Sequence, residues 1–170
     1  MAIRDRIKEL RRVKASELSA NPRNWRTHPK GQQDALRGIL AEVGYADALI
    51  ARELPDGTLE LIDGHLRAET TPDEMVPVLI VDLDQDEANK MLTVLDPLAS
   101  LAEANEEALG LLLAEVQTDN DGLREMLDDL AAEYDIELDG DGGDGVEDVE
   151  PQIDRAAELQ KEWGTKPGQL

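Results

Sequence analysis

The spacing of apolar positions changes repeatedly along this chain, and each change predicts an element. Over residues 2–12, Ile3, Ile7 and Leu10 share one face while Arg4, Lys8, Arg11 and Arg12 fall mostly elsewhere, which predicts a basic helical arm. Residues 13–18 are a short extended candidate. Residues 21–29 (Asn-Pro-Arg-Asn-Trp-Arg-Thr-His-Pro) are rich in turn formers and predict a loop. Leu36, Ile39, Leu40 and Val43 stripe a helix over 32–43, closed by Gly44. Two strands, 48–54 and 59–62, flank Pro55-Asp56-Gly57-Thr58 and predict a hairpin. A glycine turn at Asp63-Gly64 leads into a short helix. The run 76–81 reads as a buried strand with Pro77 near its start. A helix follows over 84–95, with Asp84 as its N-cap.

Beyond residue 100 the chain becomes rich in Leu, Ala and Glu. Helices are predicted over 101–116 and 123–134, parted by a break and fresh cap at 118–122. Leu109, Leu112, Leu113 and Val116 form one apolar stripe, and Leu123, Met126, Leu127 and Leu130 another. Core packing is the expected use of both, in a hairpin on each other or on the preceding domain. Asp/Gly-rich residues 137–150 read as a flexible acidic linker. They lack EF-hand spacing, so no metal is assigned. Residues 151–170 read as a short helix and a lead-in to a further domain.

Charge divides the chain more sharply than hydropathy does. Of 17 Lys/Arg and 39 Asp/Glu, residues 1–40 hold ten and four, a balance of +6; the rest hold seven and 35, a balance of −28. A basic segment that meets a polyanion, joined to an acidic remainder, fits this asymmetry; acidic surface that simply keeps the chain soluble fits it too. The absence of cysteine excludes disulfides, thiolate metal sites and cysteine nucleophiles. No apolar run is long enough to span a membrane, and the N-terminus lacks the apolar stretch of a secretory signal, so a cytoplasmic protein is expected. With two Trp, two Tyr and no Phe, a base-stacking platform is not expected.

No Walker-type loop and no Gly-x-Gly-x-x-Gly after a strand occurs. The candidate chemistry gathers at Asp63-Gly64-His65-Leu66-Arg67, where a strand enters a helix through glycine. Such a turn suits an anion. Arg67 could grip a phosphate with both nitrogens, His65 could move a proton as the one catalytic candidate, and Asp63 could orient either. The bland alternative pairs Arg67 with Asp63 or Glu69 and leaves His65 to cap the turn. In the 21–29 loop, Arg23 and Arg26 could touch phosphates, or Trp25 could be a packing anchor.

Residues 13–100 resemble the ParB/sulfiredoxin-like fold, also called the ParB-like nuclease domain. The likeness rests on Asn21-Pro22-Arg23-Asn24, a helix closing on Val43-Gly44, the Asp63-Gly64-His65-x-Arg67 turn and Val76-Pro77-Val78. It implies an α/β (α+β) fold, a small mixed sheet with flanking helices, here followed by an acidic helical hairpin over 101–136. More narrowly, the chain resembles regions that precede DNA methyltransferase domains in phage and prophage proteins, through the same segments and Trp163-Gly164…Gly168-Gln169-Leu170. The resemblance implies nucleotide or phosphate binding by Gly44, Asp47, Asp63, Gly64, His65 and Arg67, with CTP or ATP as the nucleotide. It departs from ParB where Leu66 replaces an arginine, Asp47 a glutamine, and Asp96-Pro97-Leu98-Ala99-Ser100 the Glu-Asn-x-x-Arg box. These departures argue against a ParB-type CTP switch and leave a smaller phosphate or nucleic-acid contact. His65 stands where sulfiredoxins carry cysteine, which excludes sulfinic-acid reduction. Methyltransferase motifs are absent.

Three readings follow. The first is an accessory domain of a DNA-modification system, contacting DNA or a DNA methyltransferase domain through Arg4, Arg11, Arg23, Arg26 and the Gly64 turn, without methylating DNA itself. The second is a small phosphotransfer or nucleotide-hydrolysing enzyme, or a nuclease, of the same fold. The third is an acidic interaction module that presents helices 101–134 to a basic partner.

Overall fold

The computed structural model describes residues 3–137. The linker from residue 138 onward and the 151–170 lead-in lie outside the described residues. The strands are β1 (Ile7–Lys14), β2 (Leu18–Ser19), β3 (Leu49–Glu53), β4 (Leu59–Asp63) and β5 (Met75–Val81). The helices are α1 (Lys30–Glu42), α2 (His65–Thr70), α3 (Gln85–Ser100), α4 (Glu106–Glu115) and α5 (Asp121–Glu133), and a 3-10 turn over Ala15–Glu17 links β1 to β2. The strands form one mixed sheet in the order β1-β5-β3-β4-β2. β1 runs antiparallel to β5 and β3 antiparallel to β4; β3 with β5 and β2 with β4 are parallel.

Strand alternation gives the sheet two apolar faces. Val76, Val78 and Ile80 of β5, Leu49 and Ala51 of β3 and Leu59 and Leu61 of β4 make one core with Ala68 of α2. On the other face Ile62 and Val81 meet Ala88 and Leu92 of α3. Beneath the start of α3, Arg52 and Glu60 face each other across the β3–β4 hairpin, both buried. Arg52 donates from Nε (2.8 Å) and Nη2 (2.7 Å) to Glu60 Oε1, and Nη2 also donates to Gln85 Oε1 at 2.6 Å.

The basic helical arm expected over residues 2–12 is corrected: residues 7–14 are the edge strand β1. Ile7 and Leu10 stand three apart like helical neighbours, but both are exposed, and pairing with β5 fixes the backbone instead. Its last two residues, Val13 and Lys14, fall in the extended candidate of residues 13–18. The helix expected to end at residue 95 runs on to Ser100 through Pro97. The next helix starts at Glu106 rather than 101, because the Asn105 side chain accepts from Ala108 N and sets a later cap. Asp84 is the predicted N-cap of α3, in a reciprocal capping box with Glu87.

The two acidic helices do not use their stripes alike. α5 packs on α1, where a Cβ on Gly38 would lie 2.4 Å from Asn120 Oδ1 and would push the capping side chain aside. Leu123 is buried there. In α4 Leu113 is buried, but Leu112 and Val116, expected in the core, are exposed.

Candidate functional site

A cavity of about 300 Å³ opens at the C-terminal end of β4. Its walls are the 24–28 loop, the first turns of α1, the Gly64 turn and the middle of α3. Leu36, Ile62, Met91, Leu92 and Leu95 supply apolar lining, and Asn24, Arg26, His28, Gln32, Arg67 and Asp96 the polar groups.

Gly64 makes the turn from β4 into α2. Its φ is +89°, and a Cβ there would sit 2.6 Å from Leu49 Cγ. Leu49 is fully buried in the sheet core, so it has no room to yield. Glycine therefore serves both the left-handed backbone and the close approach. With six residues, α2 is too short for a large macrodipole, and the charge of the site comes from side chains.

Arg67 projects from α2 between two carboxylates. Nη1 donates to Asp47 Oδ2 at 2.7 Å, and Nη2 to Asp63 Oδ2 at 3.3 Å. The guanidinium is mostly buried, whereas the Asp47 side chain is 78% exposed. The Arg67 hydrogen bond holds the Asp47 carboxyl below the usual carboxylate range, aided by the Ala48 N–H. Gly44, with φ +81°, closes α1 and starts the short loop that carries Asp47 to this place. Asp63, Gly64, His65 and Arg67 line the cavity, Asp47 joins them only through Arg67, and Gly44 does not line it.

His65 has one ring nitrogen engaged. It is buried, and Nε2 accepts from the Asn21 N–H at 3.2 Å. Burial lowers its pKa, which favours the neutral ring. The proton then belongs on Nδ1, and the ring fastens the Asn21-Pro22 turn to α2. Asn21 Oδ1 accepts in turn from Arg23 N at 2.9 Å.

The four arginines expected to contact nucleic acid divide between separate elements. Arg26 lines the cavity, its Nε 2.5 Å from Asp96 Oδ2 and its guanidinium 5.3 Å from the Trp25 ring centroid. Trp25 is anchored by a 3.1 Å hydrogen bond from Nε1 to Leu92 O, yet stays 59% exposed. Arg23 is exposed in the same loop. Arg4 lies 3.5 Å from Glu87 at the start of α3, and Arg11 pairs with Glu9 on β1. Glu87 and Asp96 are nine residues apart on α3, so Arg4 and Arg26 are separated by about 14 Å along that helix. Asp96 stands where the resemblance puts the Glu-Asn-x-x-Arg box, whereas Leu92 and Leu95 have no local signal and reach the cavity only through the packing of α3 on the sheet.

No protein-family model matches the sequence, and no curated protein matches it. Solved structures do. The C-terminally truncated chromosome-partitioning protein ParB from Caulobacter crescentus, complexed with CTP-γ-S, superposes with a TM-score of 0.53 at 20% identity, over 62% of this chain and 61% of that one. The fold is ParB-like. The same Caulobacter protein complexed to the centromeric parS site gives a TM-score of 0.43 at 16% identity, covering 69% and 64% of the two chains. A Pnob8-like ParB-N domain gives 0.42 at 19% identity, covering 76% and 50%. The ParB-like fold agrees with the α/β class expected from the sequence, and the chain spans about three fifths of the ParB structure it matches best among these three. Among the described residues, no helix is long and apolar enough to cross a membrane and no cluster of acidic and histidine side chains could hold a metal.

Proposed function

We propose that this chain is a ParB-like accessory module of a DNA-modification system, which holds a nucleotide or nucleic-acid phosphate in the cavity at the Gly64 turn and does not itself methylate DNA. The observation that carries the reading is that Arg26 and Arg67 line one cavity with an apolar floor. Two guanidinium groups suit phosphate oxygens, and the leucine-lined floor suits the flat face of a base. The matched Caulobacter ParB is complexed with CTP-γ-S, which makes CTP the first ligand to test. The DNA-modification setting rests on the sequence resemblance through Asn21-Pro22-Arg23-Asn24 and Trp163-Gly164, with a methyltransferase domain as the partner. His65, buried and already accepting a hydrogen bond, speaks against the hydrolase reading.

Calorimetric titration of the full chain with CTP, ATP and a short DNA duplex tests the site. Binding of at least one is expected, weakened at least tenfold by Arg26→Ala and by Arg67→Ala, since a charge-assisted hydrogen bond is worth about 1.5–3 kcal/mol. Absence of binding by all three overturns the reading. If DNA is the ligand, its affinity falls with salt and falls further on neutralising Arg23.

A further inference from the structure

α4 is apolar on two sides. Its inner side is formed by Leu109, Gly110 and the buried Leu113, with Gly110 next to Ile136. At 100° per residue, Ala108, Leu111, Leu112 and Val116 fall on the other side, within an arc of about 140°. Leu111 is 66% exposed, Leu112 58% and Val116 43%. Exposed leucines grouped on one helix side are a feature of interaction surfaces. Among the described residues nothing covers this outer side.

Charge decides what could. The sequence has no Lys or Arg from Met91 to Leu123, whereas Glu103, Glu106, Glu107 and Glu115 lie on or just before α4. Glu107 falls just outside that arc and Glu115 inside it, between the rows of Leu111 and Leu112, and both are exposed. An acidic patch opposes an anionic membrane surface. It opposes a second copy of this chain as well, because the same carboxylates would face each other. It favours a cationic partner with an apolar stripe of its own.

We propose that the outer side of α4, which exposes Leu111 and Leu112 with Glu107 beside them and Glu115 between their rows, is a docking surface for a basic amphipathic helix of a partner protein. The partner would lay its apolar i, i+3, i+4 positions along Ala108, Leu111, Leu112 and Val116, with lysines or arginines flanking them. The surface is independent of the Gly64 cavity.

The probe is a fluorescein-labelled 14-residue peptide of leucine and lysine in amphipathic helical order, titrated with the full chain and read by anisotropy. A peptide of the same composition with the order scrambled controls for attraction to a chain of net charge −22. The amphipathic peptide is expected to bind at least tenfold more tightly than the scrambled one. Leu111→Glu with Leu112→Glu should abolish that difference while leaving the melting temperature within a few degrees, since both positions are exposed. Glu107→Gln with Glu115→Gln should weaken binding more than Asp128→Asn with Asp129→Asn, which removes equal charge from α5. Equal binding of both peptides, an equal effect of the two charge variants, or a dimer in sedimentation that Leu111→Glu dissociates would overturn the proposal.

Discussion

The Arg67 guanidinium donates to the Asp47 carboxylate at 2.7 Å, joining the loop after α1 to the Gly64 turn. On the proposed reading, Asp47 engages the Arg67 Nη1 that a phosphate would need. Because Asp47 is mostly exposed, its ion pair is weak and can be exchanged. Asp47→Asn should release the Arg67 Nη1 and tighten CTP or inorganic triphosphate binding about two- to fivefold, the equivalent of about 0.5–1 kcal/mol for an exposed pair. Isothermal titration reads this directly. Unchanged or weaker binding would mean that Asp47 does not compete with the ligand.

Gly64→Ala should be among the most damaging single substitutions at the site. It combines a backbone at φ +89° with a methyl placed 2.6 Å from Leu49 Cγ. The backbone term alone is about 1–2 kcal/mol, and overpacking a tight core adds about 1–3 kcal/mol. Chemical denaturation should show a loss of about 2–5 kcal/mol. Gly44→Ala also has a positive φ, but nothing lies within 4 Å of its Cβ, so it should lose only the backbone term. Equal losses at the two positions would contradict the packing argument.

Arg52→Ala should cost about 3–5 kcal/mol, because it leaves the Glu60 carboxylate buried without its counter-charge. The double variant Arg52→Met with Glu60→Leu should recover most of that loss. Urea denaturation of the single and double variants separates the two cases. A double variant as unstable as the single one would show that the pair matters for more than mutual neutralisation.

The hairpin that holds this pair was legible in the sequence, and so in principle was the pair. Asp56-Gly57 announces the turn, and a register that places Glu53 opposite Leu59 also places Arg52 opposite Glu60. The α3 cap at Asp84 and the strand-to-helix step at Gly64 were equally local, because cap and turn chemistry act within a few residues. β1 was not legible. An edge strand exposed on most of its length has no alternating pattern, and Ile3, Ile7 and Leu10 then imitate a helix. Of the site, the pairing of Arg67 with Asp63 follows from their four-residue spacing, one of the two bland alternatives. The contacts to Asp47 and the cavity wall from α3 depend on tertiary packing and leave no trace in the spacing.

Glu87 ties the segment before β1 to α3. Arg6 Nη1 and Nη2 donate to its two oxygens at 2.6 and 2.7 Å, and its pKa is lowered to about 2, chiefly by the Arg6 hydrogen bond and then by the Asp84 backbone. A carboxylate whose pKa is lowered by folding stabilises the fold above its ordinary value of 4.5 and loses that contribution as pH falls toward 2. The melting-temperature difference between the parent chain and Glu87→Gln should therefore be constant above pH 5 and shrink between pH 4.5 and 2. A difference that stays constant down to pH 2 would remove the ion pair as its cause.

His65 sets a second pH effect, at a higher range. Burial lowers the pKa of the folded ring below its ordinary 6.5, so the unfolded chain takes up this proton first. Stability from the neutral ring is complete above pH 6.5 and is lost as pH falls through the lowered value. His65→Asn has no titrating ring, so the parent chain should lose stability relative to that variant as pH falls from 7 to 5. The variant should start less stable at pH 7, because the Asn21 N–H loses its acceptor (about 1–3 kcal/mol for a buried unpaired donor). Denaturant midpoints of both proteins across that range provide the measurement. Parallel curves would mean that His65 titrates alike in the folded and unfolded states, and burial would then not set its charge.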